Sequence, residues 1–396
     1  MNPFKISILA TLYFLAFTSC EKQVPESTDS LADQSSLPQG PVSAPEGMVW
    51  IPGKTYWRGN DQDPGNLSIF QEGVTNPIQR QQIAENHFKE ERPVHQVTVK
   101  GFYMDATEVT NRQFKEFVDA TGYVTLAEKG LSAEEFPNAR PEDLVGGANV
   151  YTKPAEEINP RRSNNAWRWW AFTEGANWRH PEGPDSSIED KMDHPVVNVN
   201  YDDAQAYAKW AGKRLPTEAE WELAARGGHE KRMFIWGDHV KKDDKWVANC
   251  FQGDFPNKSD NQDGFHFTAP VKSYPPNDFG LYDMAGNVWE ICSDYFHPRY
   301  YFEFVKAPHD NPQGPDFGIT EGQSSEIERT GTYSEIPKLP ELTKLRVSRG
   351  GSFLCHFSYC LRFRPAARHY NEPLTPAHHT GFRCVKDAPE NDSKSQ

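Results

Sequence analysis

The sequence has little positive charge, few long apolar runs and few regular amphipathic patterns. Its 396 residues include 42 Lys and Arg against 56 Asp and Glu, which gives a formal net charge of −14. Because a nucleic-acid partner requires a concentrated basic face, we expect none here. The apolar run over residues 6–17 is too short for a comfortable transmembrane helix. Glycine (28) and proline (31) are plentiful, so we expect many loops, short strands and a handful of helices.

Several motifs of common enzyme classes are also missing. The chain has no nucleophile elbow, no phosphate-binding loop and no HExxH zinc motif. Its 13 histidines are scattered, and the adjacent pair His378 and His379 falls in a predicted loop. A histidine cluster of the kind that iron-dependent sulfoxide synthases carry along one helix is therefore not expected. No internal repeat at a solenoid or propeller period is visible.

The first residues are typical of an export signal. Lys5 precedes the apolar run, and Thr18 and Ser19 precede Cys20. Small residues before a cysteine resemble a bacterial lipobox, which would make Cys20 a lipidated first residue. The alternative is an ordinary signal peptide with an incidental cysteine, since Phe17 replaces the usual leucine. We expect an exported bacterial protein, either periplasmic or held at a membrane through Cys20.

Composition and local pattern then divide the chain. A signal over residues 1–20 is followed by a disordered tether (21–46), rich in Ser, Pro, Gln and Asp, a folded domain (47–388) and a polar tail (389–396). An apolar strand that ends in a turn is expected over residues 47–53, and a second strand over 94–100. A capping box at Thr110 with Gln113 predicts a helix over 111–120. A second, at Thr217 with Glu220, predicts a helix that starts there and runs to 225. A third helix is expected over 202–211. Irregular or inserted stretches are expected at 61–90, 127–171 and 297–345.

The cysteine count points to a thiol with a function. Without Cys20 five remain, namely Cys250, Cys292, Cys355, Cys360 and Cys384. An odd count in an exported protein leaves at least one thiol free or paired outside the chain. Cys355 and Cys360 are separated by four residues, unlike the two-residue gap of zinc knuckles and thioredoxin-type sites. A structural disulfide and a two-thiolate copper(I) site both fit this spacing, and Arg362, Arg364 and Arg368 would favour the thiolate form.

Oxygen-bearing side chains cluster in two glycine-spaced loops. Asn249 and Asp263 lie in the first, and Asp283 and Glu290 in the second. Calcium takes such side-chain oxygens together with bent backbone carbonyls. Simple solvation of acidic loop residues is the alternative.

Seven segments together resemble the formylglycine-generating enzyme family. They cover residues 175–184, 194–196, 210–222, 236–237, 280–290, 350–360 and 381–384. The block Lys-Arg-Leu-Pro-Thr-Glu-Ala-Glu-Trp-Glu (213–222) is shared by the whole superfamily and indicates the fold, which is α+β and related to C-type lectins. The cysteine pair after Gly-Gly-Ser (350–352) is the specific element, because many relatives with this fold lack it.

The resemblance implies a role for each matching residue. Cys355 and Cys360 match the copper(I) ligands, Ser352 the hydroxyl beside them and Trp289 an indole near the oxygen pocket. Residues implied in holding the substrate peptide are Tyr359, Arg368, Asn371 and Trp178. The implied calcium ligands are Asn249, Cys250, Asp263 and Phe265 at one structural site and Asp283, Gly286, Val288 and Glu290 at a second.

The implied activity is a copper-dependent oxidation that uses O2. The substrate would be the cysteine of an unfolded Cys-x-Pro-x-Arg segment in sulfatases, converted to formylglycine by a monomeric enzyme. A non-catalytic binding module on the same fold and an oxidase of small thiols are the alternatives. The partner position of Cys384 in vertebrate members is Ala208 here, and a second bridge is replaced by Ala225 and Pro365. We therefore expect Cys250, Cys292 and Cys384 to be buried free thiols.

Overall fold

In the described part of the chain, four α-helices begin at side chains that cap their first turns. The helices are α1 (Asn111–Thr121), α2 (Leu126–Lys129), α3 (Tyr201–Trp210) and α4 (Glu218–Ala225). Thr110 with Gln113 and Thr217 with Glu220 form the predicted capping boxes, in which each threonine hydroxyl accepts a backbone N–H and each partner side chain reaches back. Gly122 ends α1 in the left-handed conformation. These local predictions are confirmed.

The structure is a computed structural model that describes residues 38–62, 88–134, 136–159, 168–304, 308–319, 344–356 and 359–389. The predicted signal, Cys20 and most of the tether lie outside these residues, as do 63–87 and 320–343 in the expected insertions. All described residues belong to one compact unit, Leu37–Gln396. Within the described part of the chain, no helix is both long and apolar enough to cross a membrane.

Within the described ranges, short strands form five small sheets. One sheet has the order β1-β4-β14 and a second the order β10-β3-β2. The largest has four strands in the order β12-β11-β9-β13, and two hairpins pair β5 with β6 and β7 with β8. The bounds are β1 Met48–Ile51, β2 Lys54–Arg58, β3 His95–Val99, β4 Phe102–Asp105, β5 Gly147–Tyr151, β6 Trp170–Glu174, β7 Gly253–Asp254, β8 Lys258–Ser259, β9 Trp289–Tyr295, β10 His309–Asp310, β11 Arg346–Arg349, β12 His369–Asn371, β13 Thr380–Gly381 and β14 Val385–Asp387.

Helix α4 is the centre of the main core. All eight of its residues are buried, and Trp221 packs in one apolar cluster with residues of β2, β3, β9 and β11. Besides Glu220 of the capping box, the helix carries two carboxylates, Glu218 and Glu222, which meet buried arginines from distant strands. Arg58 lies 2.6 Å from Glu218, and Arg349 lies 2.9 Å from Glu218 and 2.6 Å from Glu222. A charge removed from water is tolerated only when it is paired in this way. The helix therefore joins the sheets through both apolar and ionic contacts.

Two stretches are more ordered than the sequence analysis predicted. Within 127–171, assigned as irregular, the structure has α2, β5 and the start of β6, because Ala148 and Val150 alternate into a small buried cluster with Ala176. Within the tether assigned to 21–46, residues 38–46 contact the domain. The Tyr103 hydroxyl donates to the carbonyl of Val42 at 2.8 Å.

Candidate functional site

A cavity of about 400 Å3 lies at one end of the four-stranded sheet. Each strand of this sheet brings a residue to its wall: His369 from β12, Ser348 from β11, Trp289 from β9 and Thr380 from β13. The β5–β6 hairpin forms a second wall. The cavity is therefore built by elements far apart in sequence.

Both cysteines of the predicted pair line this cavity. The turn before them requires Gly350 and Gly351, which have φ of 89° and 75°. Hydrogen bonds from Cys355 N to the Ser352 carbonyl (2.9 Å) and from Cys360 N to the His356 carbonyl (2.7 Å) fold the segment back on itself. The two sulfur atoms meet 2.7 Å apart, beyond the length of a disulfide bond, and both side chains are buried.

The electrostatic environments of the two thiols differ. Burial raises the pKa of Cys355 well above its usual value, and its hydrogen bond to Cys360 raises it further. Burial also acts to raise the pKa of Cys360, but the bond from Cys355 and the Arg362 guanidinium outweigh it and hold the pKa at about 7. The pair therefore loses its first proton near neutral pH.

Of the other predicted catalytic and peptide-binding residues, four line the cavity and two do not. Ser352, Trp289, Tyr359 and Asn371 are on its wall. The side-chain carbonyl oxygen of Asn371 is buried and accepts no hydrogen bond from a described residue. An unpaired acceptor in this position is available to a ligand N–H.

Trp178 and Arg368 lie in the interior instead of on the cavity wall. Trp178 is fully buried, with its ring 5.2 Å from Phe114. Arg368 is 1% exposed and donates to both oxygens of Glu218, at 2.5 and 3.0 Å. The structure thus gives the Arg368 side chain a different partner from the peptide expected for it. The reason is the carboxylate of α4, which a buried guanidinium satisfies bidentately.

The sequence analysis assigned no functional role to two histidines that line the cavity. The ring of His369 lies 5.0 Å from Trp289 and that of His379 lies 4.7 Å from Trp170. Burial lowers the pKa of His379 to about 3, and burial together with Arg362 lowers that of His369. Both rings are therefore neutral hydrogen-bonding groups at physiological pH. Because His379 stands in a loop without a recognisable pattern, no local signal marks it.

The first candidate calcium set lies on two adjacent loops. Asp260 N donates to the Gln252 carbonyl at 2.6 Å, and Asp263 N donates to the Gln252 side chain at 3.0 Å. These bonds place the segment that carries Asn249 and Cys250 beside the segment that carries Asp263 and Phe265. Asp263 also accepts from the Tyr274 hydroxyl at 2.6 Å.

The second candidate calcium set is arranged around an arginine. Arg383 donates to both oxygens of Glu290, at 2.6 and 2.8 Å, and Trp221 donates to one of them at 2.8 Å. Asp283 accepts from Lys272 N at 2.9 Å, and burial raises the pKa of Asp283 to about 6. Gly286 and Val288 lie between these two acids in the chain. Among the described residues, no three His, Cys, Asp or Glu side chains converge as a metal cluster.

The α+β domain that buries this pair of thiols beside a cavity belongs to a known family. Residues 33–388 match the family described as the sulfatase-modifying factor enzyme 1-like domain, and the chain is a member of that family. The predicted resemblance and the predicted fold class are both confirmed.

Individual relatives agree with this assignment. The chain is 39% identical to the formylglycine-generating enzyme of Bos taurus over 352 residues, 89% of this chain and 78% of the relative. It is 44% identical to that of Streptomyces coelicolor over 304 residues, 75% of this chain and 82% of the relative. An inactive C-alpha-formylglycine-generating enzyme 2 of Bos taurus is 42% identical over 207 residues, 52% of this chain and 64% of that protein.

Proposed function

We propose that this chain oxidises a cysteine of sulfatase polypeptides to formylglycine. The observation that carries the proposal is the thiol pair Cys355 and Cys360, which meets in the wall of a cavity large enough for a peptide side chain. Relatives named formylglycine-generating enzyme support it. The substrate segment would be unfolded, with a Cys-x-Pro-x-Arg core, and O2 would be the acceptor.

Copper(I) is the cofactor that the thiol pair fits. Two soft sulfur donors suit this ion, and one of them, Cys360, is ready to ionise at neutral pH. A bound redox metal, with O2 as oxidant, supplies the reactivity needed to remove hydrogen from an unactivated cysteine methylene carbon. Cys355 and Cys360 would hold the ion.

The remaining cavity residues position the substrate and keep water away. The free carbonyl oxygen of Asn371 accepts a peptide N–H, and Arg362 favours the anionic form of Cys360. Trp169, Phe255 and Tyr359 pack edge-to-face and stacked along one side, with ring centroids 4.6 to 5.9 Å apart. This apolar side excludes water from the reacting thiol.

At the first candidate calcium set we propose a structural calcium ion. The side chains of Asn249 and Asp263 with the carbonyls of Cys250 and Phe265 offer the hard oxygen donors that calcium prefers. The second set fits less well, because Arg383 already neutralises Glu290. We further propose export to the periplasm, with a lipid anchor at Cys20.

One experiment tests the activity. The purified protein is loaded with copper(I), given a Cys-x-Pro-x-Arg peptide and air, and the product is analysed by mass spectrometry for an aldehyde. Cys360→Ser is expected to abolish turnover, whereas Cys292→Ser, which alters a buried thiol of the main core, serves as the matched control. Equal turnover by Cys360→Ser and the unmodified protein would exclude the assigned site. Peptide binding without any aldehyde would favour the non-catalytic alternative.

A further inference from the structure

The buried polar centre around helix α4 contains more positive than negative charge. Glu218 and Glu222 supply two carboxylates, and burial acts to raise the pKa of each, but the arginines outweigh it and hold both pKa values well below the usual range. Both carboxylates are therefore ionised. Among the described residues, four buried arginines pair with them: Arg58, Arg226, Arg349 and Arg368. Four guanidinium groups against two carboxylates leave two positive charges in excess.

A nearby acid does not remove this excess. Asp294 is buried and accepts a hydrogen bond from the Glu218 backbone N–H at 2.8 Å. Burial, together with Glu218, raises the pKa of Asp294 to about 7. Even its complete ionisation would leave one positive charge uncompensated. An interior charge of this kind needs a counter-ion, because a buried water molecule satisfies hydrogen bonds but carries no charge.

Arg58 is an arginine of this centre with unused donors. Arg226 also donates to the carbonyl of Gly59 at 2.7 Å, and Arg368 donates to two backbone carbonyls at 3.2 Å. Arg58 Nη2 lies 2.6 Å from a Glu218 oxygen, but Nε and Nη1 of Arg58 donate no hydrogen bond to a described residue. Because buried polar groups are nearly always hydrogen-bonded, these donors indicate an additional partner.

Tyr301 brings a further unused donor to the same place. The Tyr301 ring is fully buried, with the guanidinium carbons of Arg58 and Arg368 lying 4.5 and 4.3 Å from its centroid. Its hydroxyl forms no hydrogen bond with a residue of the described ranges. Since this hydroxyl extends from the ring that both cations contact, an acceptor beside it is close to both positive charges.

We propose that this centre binds a chloride ion between Arg58 Nη1 and the Tyr301 hydroxyl. Guanidinium N–H and phenol O–H groups are both donors, and an anion that accepts from both adds the missing negative charge. Arg58 and Tyr301 are each 0% exposed, so the ion must be small enough to be enclosed. It would join the end of β2 to the short 3-10 helix Tyr300–Phe304. This site is separate from the thiol cavity, and its occupation does not depend on the proposed oxidation.

Chloride-dependent stability tests the inference. Thermal unfolding is followed at constant sodium concentration while gluconate, which is too large for an enclosed site, is replaced by chloride up to about 0.3 M. The Tm of the unmodified protein is expected to rise by about 2 °C and to saturate. Tyr301→Phe keeps the ring but removes the hydroxyl, and is expected to lose most of this rise. Tyr56→Phe is the matched control, because the buried Tyr56 hydroxyl is already bonded to the Ala219 carbonyl at 2.8 Å, and it is expected to keep the rise.

Bromide locates the ion directly and needs no variant. Crystals of the unmodified protein grown with bromide in place of chloride are expected to show an anomalous-difference peak within hydrogen-bonding distance of Arg58 Nη1 and the Tyr301 hydroxyl. Density for water alone at this position would overturn the proposal. So would a chloride effect on Tm that Tyr301→Phe leaves unchanged, or a Tm that does not differ between gluconate and chloride. Aldehyde formation by the copper-loaded protein is measured separately, so failure of either proposal leaves the other intact.

Discussion

Of the three arginines that follow the thiol pair in sequence, only Arg362 acts on it. Its guanidinium lowers the pKa of Cys360, whereas Arg364 is bonded to Glu91 and Arg368 to Glu218. The sequence indicated a cationic environment but could not distinguish the three, because spacing along a loop does not determine which side chain turns inwards. The carboxylates that hold the other two arginines lie 273 and 150 positions away in the chain.

Arg362→Gln is expected to raise the pKa of Cys360 above about 7, since it removes a nearby positive charge while burial continues to oppose ionisation. A neighbouring opposite charge usually changes a pKa by about one unit or more. The measurement is the pH dependence of iodoacetamide labelling of Cys360 in the reduced, metal-free protein, located by peptide mass spectrometry. Arg362→Lys keeps the charge and is expected to retain most of the effect. Identical labelling profiles for Arg362→Gln and the unmodified protein would contradict this role.

At the scale of elements, a close backbone contact joins the loop that carries Asn249 to the loop that carries Gly286. Gly286 forms a β-bridge with Asn249 and has φ of 77°. A Cβ atom there would lie 2.1 Å from the Asn249 carbonyl oxygen, which is a backbone atom held by the fold. Only glycine allows the two loops to approach this closely.

Gly286→Ala is therefore expected to lower the free energy of unfolding by more than about 2 kcal/mol, the sum of left-handed strain and a backbone clash. Gly122→Ala is the matched control, because Gly122 also has positive φ (67°) but nothing lies within 4 Å of its added Cβ. It is expected to cost about 1 kcal/mol. Urea denaturation of both variants measures the difference. An equal loss of the free energy of unfolding in Gly286→Ala and Gly122→Ala would contradict a clash between the two loops.

Elements with local signals were predictable, and those without them were not. The helices at Thr110 and Thr217 follow from capping-box spacing, which needs only four consecutive residues. Asn200 and Asp203 cap α3 in the same way. The β5–β6 hairpin was missed because 18 residues separate its strands and neither strand has a long alternating pattern. Its stability comes from a buried face that forms only in the folded chain.

For the whole molecule, buried charge is the feature that the sequence does not reveal. Glu218 and Glu222 of α4 are fully buried with four arginines, Arg58, Arg226, Arg349 and Arg368. In sequence, an acidic four-residue repeat on a helix is typical of a solvated face. Burial acts to raise the pKa of Glu222, but Arg226, Arg349 and Arg58 outweigh it and hold the pKa at about 2. This pairing stabilises the fold above pH 4.5 and is lost as the pH falls towards 2.

Two further buried groups, His378 and Asp294, make the stability of the fold depend on pH in opposite directions. Burial lowers the pKa of His378 to about 3, so its contribution is complete above pH 6.5 and declines as the pH falls towards 3. Burial, with the nearby Glu218, raises the pKa of Asp294 to about 7. The contribution of Asp294 is complete below about pH 4 and is lost as the pH rises through 7. The native state is thus a compromise between buried bases and buried acids.

Single replacements at these two positions are expected to alter the pH dependence with opposite signs. When the pH falls from 7.5 to 5, the contribution of His378 to the free energy of unfolding declines. His378→Asn removes this decline, so its free energy of unfolding is expected to fall by up to about 2 kcal/mol less than that of the unmodified protein. The contribution of Asp294 rises over the same interval, so the free energy of unfolding of Asp294→Asn is expected to fall by more. His239→Asn, at an exposed position, is the control. Urea unfolding at both pH values measures each difference, and shifts of the same sign in the two variants would contradict the assignment of buried neutral histidine and buried protonated carboxyl. Because each comparison is between two pH values of one variant, the packing cost of each replacement cancels, and only the protons taken up or released on unfolding remain.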